Sequence, residues 1–119
     1  MDKAEYQSRL EELNSLVKKE DYEGALAVVE AVDWRRVKSL RTLGMVADVY
    51  EANKRYPEAK KILLMAYDRS SIGKGILYRL VEVSVKMKDF DEAIDFYNEF
   101  EAVARHDNSR YLLKYKILR

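Results

Sequence analysis

Cysteine is absent from these 119 residues, which removes disulfides, zinc–thiolate sites and thiol nucleophiles together. That absence fits a reducing compartment, and a cytoplasmic location is expected. Proline occurs once and glycine four times, too few for collagen, a low-complexity linker or a turn-rich β-sandwich. No apolar run approaches the roughly 18 residues of a membrane helix, so no membrane partner is expected. The opening MDKAEYQSRLEEL lacks the basic start and apolar stretch of a signal peptide. An excess of one charge is missing as well. The 22 basic and 21 acidic residues leave +1, whereas a dedicated nucleic-acid binder carries a large positive surplus. What remains is 48% apolar and 36% charged content, the mixture of a single globular domain built of amphipathic helices.

The chain repeats itself with a period of 34. EDYEGALAVVEAV from Glu20, KRYPEAKKILLMA from Lys54 and KDFDEAIDFYNEF from Lys88 align without insertion. The aromatic residues Tyr22, Tyr56 and Phe90 are each 34 apart, and an alanine follows three places later in every copy, at Ala25, Ala59 and Ala93. Three further columns agree: Val28, Ile62 and Phe96; Val29, Leu63 and Tyr97; Val32, Ala66 and Phe100. Residues three and four apart share one face of a helix, so these columns form one apolar stripe. The repeated alanine reads as a point where a neighbouring helix comes close. Asp89 with Glu92 forms a capping-box pattern, and Pro57 suits the first turn of its helix.

A second helix precedes each of these. Leu43, Val46, Ala47 and Tyr50 form its stripe in the middle copy, and Leu77, Leu80 and Val81 in the last. In the first copy Arg9 and Glu12 replace two of these columns, and Leu10, Leu13, Leu16 and Val17 carry the apolar face. A more polar terminal repeat is what stacking predicts. Breaks at 18–20, 33–36, 53–55, 70–75, 87–89 and 105–108 divide the chain into seven helices, paired as antiparallel hairpins, with no strands.

A 34-residue helix–turn–helix unit whose second helix opens on an aromatic and then a small residue resembles the tetratricopeptide repeat family. The repeats run over about 6–39, 40–73 and 74–107, with 108–119 as the first helix of a partial fourth. The small residue that the family favours in its first helix is matched by Ala47 alone; Leu13 and Val81 depart. The proline that closes family repeats is missing from all three copies. The resemblance implies an all-α, right-handed superhelix of three helix–turn–helix repeats plus a C-terminal helix, with the first helices lining a concave groove for a protein or peptide partner. Carried over, the groove positions are Gln7, Glu11, Asn14 and Lys18; Arg41, Met45, Asp48 and Ala52; and Gly75, Tyr78, Arg79, Glu82 and Lys86. Asn14, Arg41, Met45, Asp48, Tyr78, Arg79 and Glu82 are the candidate peptide-binding residues. A methionine and a tyrosine among cations resemble a hot-spot mixture. The chaperone-binding subfamily grips a C-terminal carboxylate with lysines, asparagines and an arginine. Those positions here are Leu10, Asn14, Met45, Gly75 and Arg79, and only Asn14 and Arg79 match, which disfavours that ligand.

Nothing composes an active site, so no catalytic, metal or cofactor-binding residue is expected and the chain is read as a non-enzyme. The single histidine, His106, falls in an inter-repeat loop without a cysteine or second histidine to join it. SSIGKGI around Gly73 lacks the first glycine and the Ser/Thr of a phosphate loop and follows a helix; its glycines ease a turn instead. Asp89, Asp91 and Glu92 sit where a helix dipole favours acids, and no calcium-loop pattern exists. Two basic clusters occur, Trp34–Arg41 and Arg105–Arg119. A nucleic-acid interface needs both on one face of a net-positive domain, and the balance of charge disfavours it. Against the groove-binding reading stands a structural spacer that uses end-to-end contacts. In the segment 108–119, Tyr111, Tyr115 and Leu118 take the inward columns, yet Leu112, Leu113 and Ile117 are apolar too. A helix apolar on both sides exposes a strip that marks a contact, so the natural protein is expected to continue past Arg119 with further repeats, or to self-associate there.

Overall fold

The computed structural model describes residues 2–70 and 73–103. Among the described residues there are six α-helices and no strand: α1 (Lys3–Lys18), α2 (Tyr22–Glu30), α3 (Leu40–Ala52), α4 (Tyr56–Arg69), α5 (Lys74–Lys86) and α6 (Phe90–Val103). Each packs on the helix before and after it in the chain, the nearest-neighbour pattern of a helical-repeat solenoid. The expected seventh helix, with Leu112, Leu113 and Ile117, lies outside the described residues. None of the described helices is long and apolar enough to cross a membrane.

The helix starts follow local chemistry. Asp2 Oδ1 accepts from Glu5 N at 2.7 Å, Asp21 Oδ1 from Gly24 N at 3.0 Å, and Ser39 Oγ from Thr42 N at 3.2 Å. Helix α4 has no side-chain cap and carries Pro57 in its first turn. At α6, Asp89 Oδ1 accepts from Glu92 N at 3.3 Å, but the reciprocal half of the capping box is not made. Asp89 N donates to Ser84 O, and the Glu92 carboxylate is engaged by Lys60 of α4.

The helix ends hold the most regular feature of the fold. Glu20, Lys54 and Lys88 have φ of 59°, 59° and 61°, and they are the only non-glycine residues with positive φ among those described. They stand 34 residues apart. Around each, two backbone bonds close the preceding helix: Glu20 N to Val17 O and Asp21 N to Leu16 O; Lys54 N to Glu51 O and Arg55 N to Tyr50 O; Lys88 N to Val85 O and Asp89 N to Ser84 O. This is the Schellman closure, in which the residue after the cap turns left-handed. It is repeated three times with no glycine, and it reverses the chain from the first helix of each hairpin into the second.

Most of the repeated columns form the core, but the aromatic column lies at its edge, with Tyr22 and Tyr56 half-buried and Phe90 exposed. Ala25, Ala59 and Ala93 are fully buried, as are Leu43, Val46, Ala47, Leu77, Leu80 and Val81. In α1 only Leu13 is buried. Successive repeats are tied by side chains that reach across. Asn53 Nδ2 donates to Tyr22 O (2.9 Å), Arg55 pairs with Glu30 (3.1 Å), and Tyr67 OH donates to Glu99 (3.1 Å).

Candidate functional site

Helices α1, α3 and α5, the first helices of the three hairpins, carry all seven candidate groove residues. Asn14, Arg41 and Asp48 are exposed, whereas Met45, Tyr78, Arg79 and Glu82 are half-buried. Met45 and Tyr78 pack against the edge of the core, and the Tyr78 ring meets Phe100 edge-on with centroids 5.9 Å apart.

Arg79 is the centre of a network that spans α3 and α5. Its Nη2 donates to Asp48 Oδ1 and to Glu51 Oε2, both at 2.6 Å, and its Nη1 donates to Gly44 O at 3.2 Å. Lys86 Nζ lies 3.9 Å from the other oxygen of Glu51 and 5.6 Å from the centroid of the Tyr56 ring, in cation–π range. Two carboxylates therefore offset the guanidinium, and the planar fork has little capacity left for a third. Of the candidate residues, Asp48 and Arg79 are brought into direct contact; Asn14 and Arg41 make no ion pair or side-chain hydrogen bond among the described residues. Sequence reasoning missed Glu51 and Gly44. A signal for Glu51 was present. Arg79 stands in the third copy where Met45 stands in the second, and Asp48 and Glu51 follow Met45 by one and two turns, within reach of a long side chain on the neighbouring helix.

The first basic cluster has a different character from the sequence pattern. Trp34 is buried, its Nε1 donates to Val29 O at 2.8 Å, and its ring meets Tyr6 edge-on at 6.3 Å. It is a core residue and offers no face for stacking a base. Arg35 is bound to Asp33 through Nε and Nη2 at 2.8–3.2 Å, and this guanidinium holds the Asp33 carboxyl well below the usual carboxylate range. Arg69 donates to Arg35 O, pinning this connection to α4. Between the connection and the first turn of α1 lies an open depression of about 840 Å³. The second basic cluster and His106 lie outside the described residues. Among those described, no group of acidic and histidine side chains could hold a metal ion.

No family model and no curated protein matches the sequence. Solved structures match closely in shape. The TPR2B domain of yeast Sti1, in its complex with pHsp70, superposes with a TM-score of 0.72 at 16% identity, covering 93% of this chain and 97% of that one. The Yersinia enterocolitica type III secretion chaperone SycD, in complex with a peptide of the translocator YopD, gives 0.70 at 11%, covering 98% and 89%. PcrH, in complex with the chaperone-binding region of PopD, gives 0.68 at 10%, covering 98% and 88%. Together with the 34-residue period and the three matching helix closures, these likenesses define the fold as a tetratricopeptide-repeat-like solenoid.

Proposed function

We propose that the chain is a non-enzymatic protein-interaction module that binds a peptide segment of a partner on the face of α1, α3 and α5. The observation that carries this reading is the shared fold: over more than nine-tenths of its length the chain superposes on domains solved in complex with another protein or a piece of one. Its own residues refine the partner's chemistry. Because Asp48 and Glu51 already neutralise Arg79, capture of a terminal carboxylate by a cationic clamp is disfavoured. Met45 and Tyr78 supply soft, half-buried contact surface instead, with Arg41 as the nearby exposed cation. A cysteine-free chain fits a cytoplasmic setting for this role.

The test is capture of a partner from extract of the native cell, first by the parent chain and then by Met45→Glu. Loss of capture with an unchanged helical circular-dichroism signal supports the groove. Capture that survives Met45→Glu and Arg41→Glu together refutes it. One observation favours a second reading, the end-to-end spacer. Phe90 and Ile94 on α6 are 47% and 43% exposed, although the equivalent Tyr56 and Lys60 are half-buried. Concentration-dependent association by light scattering, abolished by Phe90→Asp, distinguishes that reading.

A further inference from the structure

The depression beside the α2–α3 connection combines an apolar floor with a cationic rim. Tyr6, Val32 and Val37 line it and are buried or half-buried, whereas Lys3, Arg36 and Lys38 line it and are exposed. Its two acids are occupied within the chain: Asp2 caps α1 through Glu5 N, and Asp33 is held by Arg35. Lys3, Arg36 and Lys38 make no ion pair or side-chain hydrogen bond among the described residues. The four cations Lys3, Arg35, Arg36 and Lys38 outnumber the two acids Asp2 and Asp33 in the lining, so the depression presents a net positive rim around an apolar patch, in a domain whose total charge is only +1.

From this complementarity we infer a second binding site, separate from the groove, that takes a short acidic peptide segment carrying one large apolar side chain. The apolar residue sits on Tyr6, Val32 and Val37, and the flanking carboxylates meet Arg36, Lys38 and Lys3. A nucleic-acid strand fits less well. Strand binding without sequence preference relies on exposed aromatic faces, and here the indole of Trp34 is buried and hydrogen-bonded while Tyr6 is turned edge-on to it. Arg36 and Lys38 pair with acids at high dielectric, so the site selects by charge and binds more weakly as salt rises.

Trp34 is the only tryptophan and packs on Tyr6 of the floor, so its emission reports occupancy. The experiment titrates the full chain with fluorescein-free and fluorescein-labelled decapeptides of Asp and Glu, with one Leu or Phe stepped through the central positions. Matched lysine peptides and a thymidine decanucleotide serve as competitors. The expected result is anisotropy-detected binding of acidic peptides with a change in Trp34 emission, weakened about tenfold by Arg36→Glu with Lys38→Glu. Met45→Glu leaves it unaltered, which separates this site from the groove. The inference is overturned if no acidic peptide binds better than its lysine counterpart, if the double charge reversal binds equally well, or if the oligonucleotide displaces the peptide and binds more tightly.

Discussion

Replacing Lys54 by glycine should stabilise the protein although no contact is gained. Lys54 sits at φ 59° as the left-handed residue that closes α3, and its exposed side chain makes no hydrogen bond or ion pair among the described residues. An L-residue held left-handed costs about 1–2 kcal/mol through Cβ crowding against its own carbonyl. Glycine avoids that cost but gives up about 0.5–1 kcal/mol through the greater freedom of the unfolded chain. The expected net gain is about 0.5–1 kcal/mol at this site. Glu20→Gly and Lys88→Gly repeat the geometry at φ 59° and 61°. The three sites share no partner, so their effects should add to roughly 1.5–3 kcal/mol, large against a domain stability of about 5–15 kcal/mol. Urea denaturation followed by circular dichroism at constant m-value measures it. Lys54→Ala is the control, since it removes the side chain while keeping Cβ. If Lys54→Gly is no more stable than Lys54→Ala, the left-handed closure at Lys54 is wrong.

Ala59, fully buried on α4, should not accept leucine. Ala59→Leu is expected to cost about 1–3 kcal/mol by overpacking, and a melting temperature within a degree of the parent would contradict the hairpin geometry. The Ser84 hydroxyl is buried with no hydrogen-bond partner among the described residues. Ser84→Ala should therefore be neutral or stabilising by up to about 1 kcal/mol, and a clear loss would reveal a bond to that hydroxyl. Gly73 has φ 70°, and a Cβ there would lie 2.6 Å from Tyr67 Cδ1. Gly73→Ala is expected to cost about 1–3 kcal/mol, read by the same denaturation. Arg79→Met leaves Asp48 without its cation and Glu51 with only Lys86 at 3.9 Å, and it should destabilise by about 0.5–1 kcal/mol, partly exposed pairs being weak. Adding Glu51→Gln should recover part of that loss; strict additivity in the double variant would show that Arg79 and Glu51 do not interact.

The fold was legible because every repeat must bury the same stripe against its neighbours. Tyr22, Tyr56 and Phe90 marked the period, and Ala25, Ala59 and Ala93 marked a column that is fully buried in all three copies. The left-handed closures were visible only as breaks, because Glu20, Lys54 and Lys88 are residues that ordinarily avoid that conformation and carry none of glycine's signal. Trp34 lies among arginines in the sequence, which leaves its burial unmarked, while its indole fills the core and its N–H is satisfied by Val29. The candidate groove residues lie on α1, α3 and α5, but pattern alone could not show that Arg79 is spent on Asp48 and Glu51. Ion pairing across 28 or 31 residues depends on how the helices stack, and a single-copy pattern does not encode it.

The central claim, that a partner's segment lies along α1, α3 and α5, is tested most directly by site-specific photo-crosslinking. A photoreactive phenylalanine analogue is placed singly at Arg41, at Met45 and at Lys61, the last an exposed residue of α4. After irradiation in the native cell extract, the crosslinked peptides are sequenced. Arg41 and Met45 are expected to crosslink to one contiguous segment of the same partner, and Lys61 is not. Crosslinks from Lys61 alone, or from none but another copy of this chain, would contradict it.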